Sequence, residues 1–388
     1  MKVLLSGSTP MPRVSLAAMT RTHFTRLVAT VTMLIIAAIA VSSCTKKEEK
    51  AEEPQAVVEE AVIEEVAPPP AASYEFPRMK VPEDNPNTLL KAIIGAQLFF
   101  DPRLSVDGTR SCYSCHQNEH GNGGETPLAV GAKKKQLTRH SPVIWNVGYL
   151  DRFYWDGRAA SLEAQAKGAW GGGNMGVGAE NLEEKTKQLS KIKLYKETFA
   201  RAFPDEGMTP DTVAKAIASY ERTLVCDKTA YDRFARGNAA ALTEQQKEGW
   251  EIFMGKSQCA ACHAPPLFSN AMGVPDGVYY NVGIGTEGVA EEEVDIGRAA
   301  VTELEADWAA FKVPSLRNVS KSAPYFHDGS VPTLEGAVRL MASGGIDNKN
   351  KSPLMEDRGL TEDEIAALVA FLGALDCPRT LVKPKLPK

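Results

Sequence analysis

Cys112-Tyr113-Ser114-Cys115-His116 and Cys259-Ala260-Ala261-Cys262-His263 are the two stretches that decide the fold of this chain. Cys-x-x-Cys-His is the attachment pattern of c-type haem, because its two thiols form thioethers with the haem vinyl groups and its His ligates the iron. A four-thiolate zinc site is the alternative, but each Cys pair carries its own His and the pairs lie far apart in the sequence. The sequence therefore predicts two covalently bound haems. Their attachment residues are Cys112, Cys115, Cys259 and Cys262, with His116 and His263 as iron ligands.

Composition excludes a nucleic-acid partner. The 388 residues carry a formal net charge of −5, and the Lys and Arg residues are scattered instead of forming a basic surface. Once the N-terminal segments described next are set aside, roughly 300 residues remain, which is enough for two haem domains of ordinary size.

The N-terminus has the pattern of a lipoprotein signal peptide. Arg21 and Arg26 precede an apolar run at 27–41, and small residues follow immediately before Cys44. We expect residues 1–44 to form this signal, with lipidation of Cys44. An uncleaved membrane anchor is the alternative, although the run is shorter than the roughly 20 residues that span a bilayer. The mature chain would then be lipid-anchored on the periplasmic side of a bacterial membrane, with no other membrane contact.

Residues 45–80 are rich in Glu, Lys, Ala and Pro and contain little that can be buried. Such a composition cannot offset the entropy of ordering, so this segment is predicted to be a disordered acidic and proline-rich tether.

An internal repeat organises the remainder. Residues 95–99 precede the first haem motif, and the similar residues 249–253 precede the second, each within a helical apolar pattern. Further on, residues 208–214 match residues 360–366, and both open a helix. Each repeat therefore has an opening helix, a haem motif, a long insert and a closing helix.

This organisation predicts a mainly α fold with two cytochrome c-like domains, each with one covalently attached haem and long loop inserts. Capping-box spacings at Thr243 with Gln246 and at Thr361 with Glu364 mark two helix starts. The predicted domains are 81–237, with the N-terminal haem, and 238–388, with the C-terminal haem.

Four segments resemble the bacterial diheme cytochrome c peroxidases and their relatives, and the resemblance extends from about residue 88 to 376. They read Phe-Tyr-Trp-Asp-Gly-Arg at 153–158, Ser-Leu-Glu-Ala-Gln at 161–165, Phe-Lys-Val-Pro-Ser-Leu-Arg-Asn-Val at 311–319 and Ala-Pro-Tyr-Phe-His-Asp-Gly at 323–329. The resemblance implies that the N-terminal haem reduces hydrogen peroxide and that the C-terminal, electron-transfer haem receives electrons from a small redox protein.

The same resemblance implies the remaining iron ligands. Met341, fourteen residues after His327, corresponds to the axial Met of the C-terminal haem, which raises its potential and blocks small ligands. Many relatives cover the N-terminal haem with a displaceable His in a Gly-His pair. Here the segment reads Gly131-Ala132, so we expect an open or water-occupied iron that needs no reductive activation.

Peroxide cleavage needs a proton carrier and polar donors. By resemblance, Gln165 supplies one polar group and Trp155 mediates electron transfer between the haems. The Glu that relatives use is replaced by Asn174, which can hydrogen-bond but cannot carry a proton at neutral pH. Either Glu180 or a nearby carboxylate substitutes, or turnover with peroxide is slow.

Two further features stay open at this point. By resemblance, the carbonyls of Ser322 and Pro324 belong to a calcium site, but His140 replaces an amide there and should weaken it, because calcium prefers oxygen ligands. Cys226 and Cys377 are the thiols left once Cys44 and the haem motifs are removed, and the sequence does not decide whether they pair.

The function predicted is reduction of hydrogen peroxide to water with electrons from a cytochrome c or a small copper protein. One alternative is a peroxide-dependent oxidase that modifies aromatic residues of a partner protein, like the relative that matures methylamine dehydrogenase. The absent acid favours it, while Met341, where that relative has Tyr, opposes it. The other alternative is a diheme electron carrier without a substrate. The donor, the haem potentials and the oligomeric state, a homodimer included, are left open.

Overall fold

The fold is taken from a computed structural model, which describes residues 74–388. The predicted signal peptide, Cys44 and residues 45–73 of the predicted tether lie outside the described residues. Within residues 74–388, no helix combines the length and the apolar character needed to cross a bilayer.

The described chain is mainly helical, as predicted, with long loop inserts and one small antiparallel sheet. The helices are α1 (Leu89–Phe100), α2 (Leu162–Gly171), α3 (Leu182–Leu189), α4 (Lys193–Ala202), α5 (Pro210–Glu221), α6 (Ala230–Ala235), α7 (Glu244–Met254), α8 (Ala299–Thr302), α9 (Leu334–Ala342) and α10 (Glu362–Gly373). The two strands are β1 (Tyr279–Tyr280) and β2 (Phe311–Lys312), with Tyr279 opposite Lys312.

The internal repeat appears as two equivalent helix crossings. Helix α1 crosses α5 at Gly95, where an added Cβ would lie 1.9 Å from the carbonyl oxygen of Ala216. Helix α7 crosses α10 at Gly249, where an added Cβ would lie 2.0 Å from the oxygen of Ala367. Only glycine allows this approach, and Ala216 and Ala367 therefore occupy equivalent positions at the two crossings.

The predicted helix starts are confirmed. Thr243 and Gln246 form a reciprocal capping box at the start of α7, and Thr361 and Glu364 form one at the start of α10. Each box satisfies two backbone N–H groups that the first turn of a helix leaves without partners.

Two hydrophobic cores follow the two repeats, but the boundary between them differs from the predicted one at 237. Helix α6 was assigned to the N-terminal domain. Its Tyr231 and Phe234 are buried in the second core, where Tyr231 contacts Trp250 and Phe371. The second core therefore begins before residue 238, because the apolar face of α6 is covered by α7 and α10.

The N-terminal end of the described chain also packs on the second core. Arg317 and Asp232 form an ion pair whose side chains are both 0 % exposed, with an Nη2–Oδ1 distance of 2.7 Å. Tyr74 donates a hydrogen bond to Asp232, and Phe76 lies over the Arg317 guanidinium. Residues 74–80 had been placed in the tether. These aromatic contacts show that the packed chain extends N-terminal to residue 81.

The C-terminal end crosses to the first core. Cys226 and Cys377 form a disulfide with a Cα–Cα distance of 5.6 Å, which settles the pairing of the two remaining thiols. Beyond it, Leu381 is buried among apolar residues of the first repeat, and its carbonyl accepts a hydrogen bond of 2.9 Å from the Asn118 side chain. The last residues of the second repeat thus pack into the hydrophobic core of the first repeat.

Candidate active site

The first haem motif opens into a cavity of about 470 Å³, within the range of roughly 300–1,000 Å³ typical of ligand sites. Cys112, Cys115 and His116 all line it. One wall comes from α2 and α5, and a further part comes from residues 312–316 of the second repeat. Both repeats therefore shape the surroundings of the first motif.

His116 is held by a backbone carbonyl. Its Nδ1 lies 3.3 Å from the backbone carbonyl oxygen of Asn122, which can only accept a hydrogen bond, so Nδ1 donates and Nε2 is free to ligate. Trp145 in turn donates to the Asn122 side chain at 2.8 Å. Burial lowers the pKa of His116 to about 4, which keeps the ring neutral, as an iron ligand must be.

His263 repeats this arrangement in the second motif. Its Nδ1 lies 3.1 Å from the carbonyl oxygen of Phe268, and burial lowers its pKa to about 4. Cys259 and Cys262 are half-buried beside it. The two motifs therefore present the same pair of thiols and the same oriented, neutral imidazole.

Lys312 gives an independent test of whether a haem fits the cavity. It lines the cavity and is 8 % exposed, yet its ammonium makes no ion pair or hydrogen bond within residues 74–388. Burial lowers its pKa to about 8. A buried cation is costly without an anion, and haem carries two carboxylates. The thiols, the imidazole and this free cation together fit a c-type haem.

The polar groups expected for peroxide chemistry are partly brought together. Gln165 on α2 and Asn174 in the loop after it both line the cavity. Glu180 does not: it is exposed, and its carboxylate accepts a hydrogen bond of 3.0 Å from the Asn181 side chain. The prediction that Glu180 could replace the absent acid is therefore corrected by its position outside the cavity.

Sequence reasoning missed Glu221, the last residue of α5. Among the described residues that line the cavity it is the one with a carboxyl side chain, and it is 7 % exposed. It lies 47 positions after Asn174 in the sequence, so no local motif connects the two. The available signal was the repeat itself, in which an acid stands where the second copy has an apolar residue.

Trp155 is connected by hydrogen bonds to both repeats. Its Nε1 donates to the carbonyl of His140 at 2.9 Å, and its own carbonyl accepts from the Lys312 N–H at 2.8 Å. Four residues further on, the Leu316 N–H donates to the carbonyl of Phe268 at 3.2 Å, the same carbonyl that holds His263. The segment 312–316, which is hydrogen-bonded to Trp155 at one end and to Phe268 at the other, therefore connects Trp155 with the second haem motif.

Comparison with known proteins agrees with this geometry. The sequence profile of the di-haem cytochrome c peroxidases matches residues 90–240, and that of cytochrome c matches residues 246–376. Cytochrome-c peroxidase IdrP1 of Denitromonas iodatirespirans is 35 % identical over 334 residues, which cover 80 % of this chain and 88 % of that protein. This chain belongs to the di-haem cytochrome c peroxidase family. The predicted resemblance is thereby confirmed.

Two further relatives place the chain within this family. Methylamine utilization protein MauG of Methylorubrum extorquens is 34 % identical over 313 residues, covering 79 % of this chain and 84 % of that protein. The crystal structure of a MauG-like protein associated with microbial copper homeostasis superimposes with a TM-score of 0.72 at 29 % identity, over 80 % of this chain and 95 % of that chain.

Gly131 and Ala132 stand where the resemblance implied a displaceable His in relatives. Ala132 is buried, and its N–H donates to the Asn174 carbonyl at 3.0 Å. Within the described chain, the imidazoles that line the cavity are those of His116 and His140. His140 is held at Nδ1 by the Thr126 carbonyl at 2.9 Å. The open iron site stays a prediction.

The predicted calcium residues all line the cavity: His140, Ser322 and Pro324. Residues 74–388 contain no group of three or more His, Cys, Asp or Glu side chains spaced to hold a metal ion. The predicted donors are the backbone carbonyls of Ser322 and Pro324, and the His140 imidazole beside them should weaken the site, because calcium prefers oxygen. The calcium site stays a prediction.

Met341 lies on α9 and is half-buried. Leu334 and Val338 of the same helix pack against the second core together with Cys259. Met341 follows Val338 by three residues, so it belongs to the same face of α9. Its ligation of iron stays a prediction.

Proposed function

We propose that this protein reduces hydrogen peroxide to water with single electrons from a small redox protein. The observation that carries the proposal is the cavity at the first haem motif, because it contains an oriented iron-ligating His, the amide of Gln165 and a Trp155 bonded toward the second motif. Relatives named cytochrome-c peroxidases, at 35 % identity over most of the chain, support it.

A haem bound at each motif would supply electron storage and, at the first motif, an iron atom to which peroxide can bind. The protein's own part is to orient the His116 ring and the bound peroxide and to exclude bulk water. Asn122 and Trp145 fix the His116 ring. The Gln165 amide can hydrogen-bond a bound peroxide, and the buried Trp170 and Met175 on the same wall keep bulk water out.

Electrons would enter at the second motif. His263 would ligate that iron from one face, and we propose Met341 as the other ligand, since it lies on the same face of α9 as Val338, which packs against the second core. A haem capped on both faces stores an electron without binding small molecules. Transfer to the first haem would then pass along Trp155 and residues 312–316.

The compartment is part of the proposal. We infer that the chain is exported and held to the membrane by a lipid on Cys44, with its haem domains on the periplasmic side. The Cys226–Cys377 disulfide supports this, because such bonds persist in oxidising compartments. A calcium ion at the Ser322 and Pro324 carbonyls stays a prediction. Whether the protein forms a homodimer stays open.

The second candidate function is peroxide-dependent oxidation of aromatic side chains in a partner protein. It is favoured by Asn174, which cannot carry a proton, and by the 34 % identity to the methylamine utilization protein MauG. The third, a diheme electron carrier, would use the cavity to hold the first haem but would leave the Gln165 amide without a role.

One experiment separates the three. The fully reduced protein is mixed with peroxide, with and without an excess of reduced cytochrome c, while donor oxidation and the haem spectrum are followed. Repeated donor oxidation is the result that we expect. A long-lived oxidised state without donor turnover would favour protein oxidation, and a protein inert to peroxide would leave only the carrier. A Gln165→Ala variant should retain both haems and turn over more slowly.

A further inference from the structure

Glu221 is buried in the cavity without a partner. It is 7 % exposed, and within the described residues its Oε2 atom has no hydrogen-bond partner. Burial raises the pKa of its carboxyl to about 8. A carboxylate is far costlier to bury than a carboxylic acid, so this side chain carries a proton at neutral pH.

The neighbouring Arg222 cation lowers the pKa of Glu221, but less than burial raises it. The Arg222 guanidinium pairs with Glu163 at 2.8 Å, and Glu163 also accepts a hydrogen bond of 2.7 Å from Asn85. The remaining titratable groups around Glu221 are the phenols of Tyr154 and Tyr220 and the Cys112 thiol, all neutral at physiological pH. The carboxyl is thus left as a proton-bearing group on the cavity wall.

The repeat shows that this position has no structural need for an acid. Ala216 on α5 corresponds to Ala367 on α10, because each receives the glycine of the crossing helix. Counted from these crossings, Glu221 corresponds to Leu372; counted from the helix starts, it corresponds to Gly373, and neither is an acid. Leu372 is 5 % exposed and belongs to the second core. The acid occurs only in the repeat whose cavity is proposed to meet peroxide.

Glu221 also lies on the side of the cavity that bears Gln165. Helix α5 packs against α2, which carries Gln165. Tyr154 connects the two, since its hydroxyl donates to the Gln165 carbonyl at 3.2 Å. The pKa of Tyr154 is raised chiefly by burial, and Arg158 opposes this rise.

We propose that Glu221 is the proton donor for peroxide reduction in this cavity and takes the role that Asn174 cannot fill. This rests on the proposed function. The reaction H₂O₂ + 2 H⁺ + 2 e⁻ → 2 H₂O breaks the O–O bond, with both electrons coming from the redox partner. Glu221 supplies one of the two protons to the leaving oxygen, which departs as water. Solvent supplies the other proton and then restores the Glu221 carboxyl.

The test compares Glu221→Gln with Glu197→Gln, which alters an exposed carboxylate on α4. Loss of a positioned proton donor typically costs about 10²–10⁴-fold in rate, and we expect such a fall in peroxide-dependent donor oxidation for Glu221→Gln alone. Haem content and the oxidised spectrum should stay unchanged. The wild-type rate should fall as pH rises through about 8, and this limb should be absent from the variant. Glu221→Asp should restore part of the rate.

A second readout does not depend on turnover. Infrared spectra of the wild-type holoprotein at neutral pH should contain the C=O band of a carboxylic acid that disappears in Glu221→Gln. If that variant does not fold, Glu221→Leu reproduces the packing of Leu372 and should fold with both haems but lack activity. The proposal fails if the band is absent, or if the wild type turns over and the Gln variant retains its rate and pH profile. A wild-type protein inert to peroxide would instead refute the proposed function, and with it any donor role for Glu221.

Discussion

Single buried charges set the chemistry of this cavity. Lys312 and Glu221 both line it and are 8 % and 7 % exposed, and among residues 74–388 the Glu221 Oε2 atom has no hydrogen-bond partner. Each must be neutralised, because an isolated charge in a low dielectric is strongly disfavoured. Glu221 achieves this by retaining its proton, whereas Lys312 needs an anion, which a haem carboxylate would provide.

Replacing Lys312 by Met should lower the reduction potential of the first haem by tens of millivolts. Removing a nearby positive charge favours the oxidised, more positive iron centre. A spectroelectrochemical titration measures both haems at once, and the potential of the second should stay unchanged. Lys135→Met is the matched control, since Lys135 also lines the cavity but is exposed and screened by solvent. Equal shifts in the two variants would contradict the assigned role of Lys312.

For individual site residues, the sequence predicted those that belong to a local motif and missed those that do not. Cys112, Cys115 and His116 are adjacent in the chain, and their shared function follows from that spacing. Glu221 reaches the same cavity only because α5 crosses α1 and packs on α2. Glu180, chosen for its nearness to Asn174 in the sequence, is directed to solvent.

Among the helices, the two crossings at Gly95 and Gly249 fix where each closing helix lies over its haem motif. Changing either glycine to Ala should destabilise the protein by about 1–3 kcal/mol or more, because the new Cβ would overlap a backbone carbonyl. Thermal unfolding of the holoprotein measures the change.

Gly373→Ala is the control for these substitutions. Gly373 ends α10 with no atom within 4 Å of an added Cβ. Alanine should therefore be neutral there or stabilise the helix by up to about 1 kcal/mol. A crossing variant as stable as this control would show that the helices can separate without cost.

The helices were the most predictable elements, and their packing partners the least. Capping boxes at Thr243 and Thr361 are local patterns, and both helix starts occur where these patterns indicated. Helix α6 is short and follows the first repeat in the chain, yet Tyr231 inserts into the second core. The packing of α6 depends on a surface formed by residues that are distant in the sequence, so no local pattern predicts it.

Across the whole molecule, the two repeats are interleaved. The chain from Tyr74 covers the buried Arg317 of the second repeat, and the chain after Cys377 covers the first. Asn318 joins both: its Nδ2 donates to the Gly121 carbonyl at 2.9 Å, and its Oδ1 accepts from the Cys377 N–H at 2.9 Å. Within the described residues, the two haem domains predicted from the repeat are therefore joined by contacts that each makes with the other.

Replacing both Cys226 and Cys377 by Ser should lower the free energy of unfolding by about 2–5 kcal/mol, because the bond closes a long loop and so restricts the unfolded chain. Denaturant unfolding of wild type and variant measures this difference. The oxidised haem spectrum should not change, since neither sulfur belongs to a haem motif. Equal stability would mean that the tail is held by its other contacts alone.

The docked C-terminal tail also bears on biogenesis. The Asn118 side chain donates a hydrogen bond to the Leu381 carbonyl and accepts one from the Asn122 side chain. The backbone carbonyl of Asn122 in turn orients His116. Those last residues leave the ribosome after both haem motifs have been made. Completion of the first haem pocket therefore has to wait for synthesis of the second repeat, although Cys112 and Cys115 are made first.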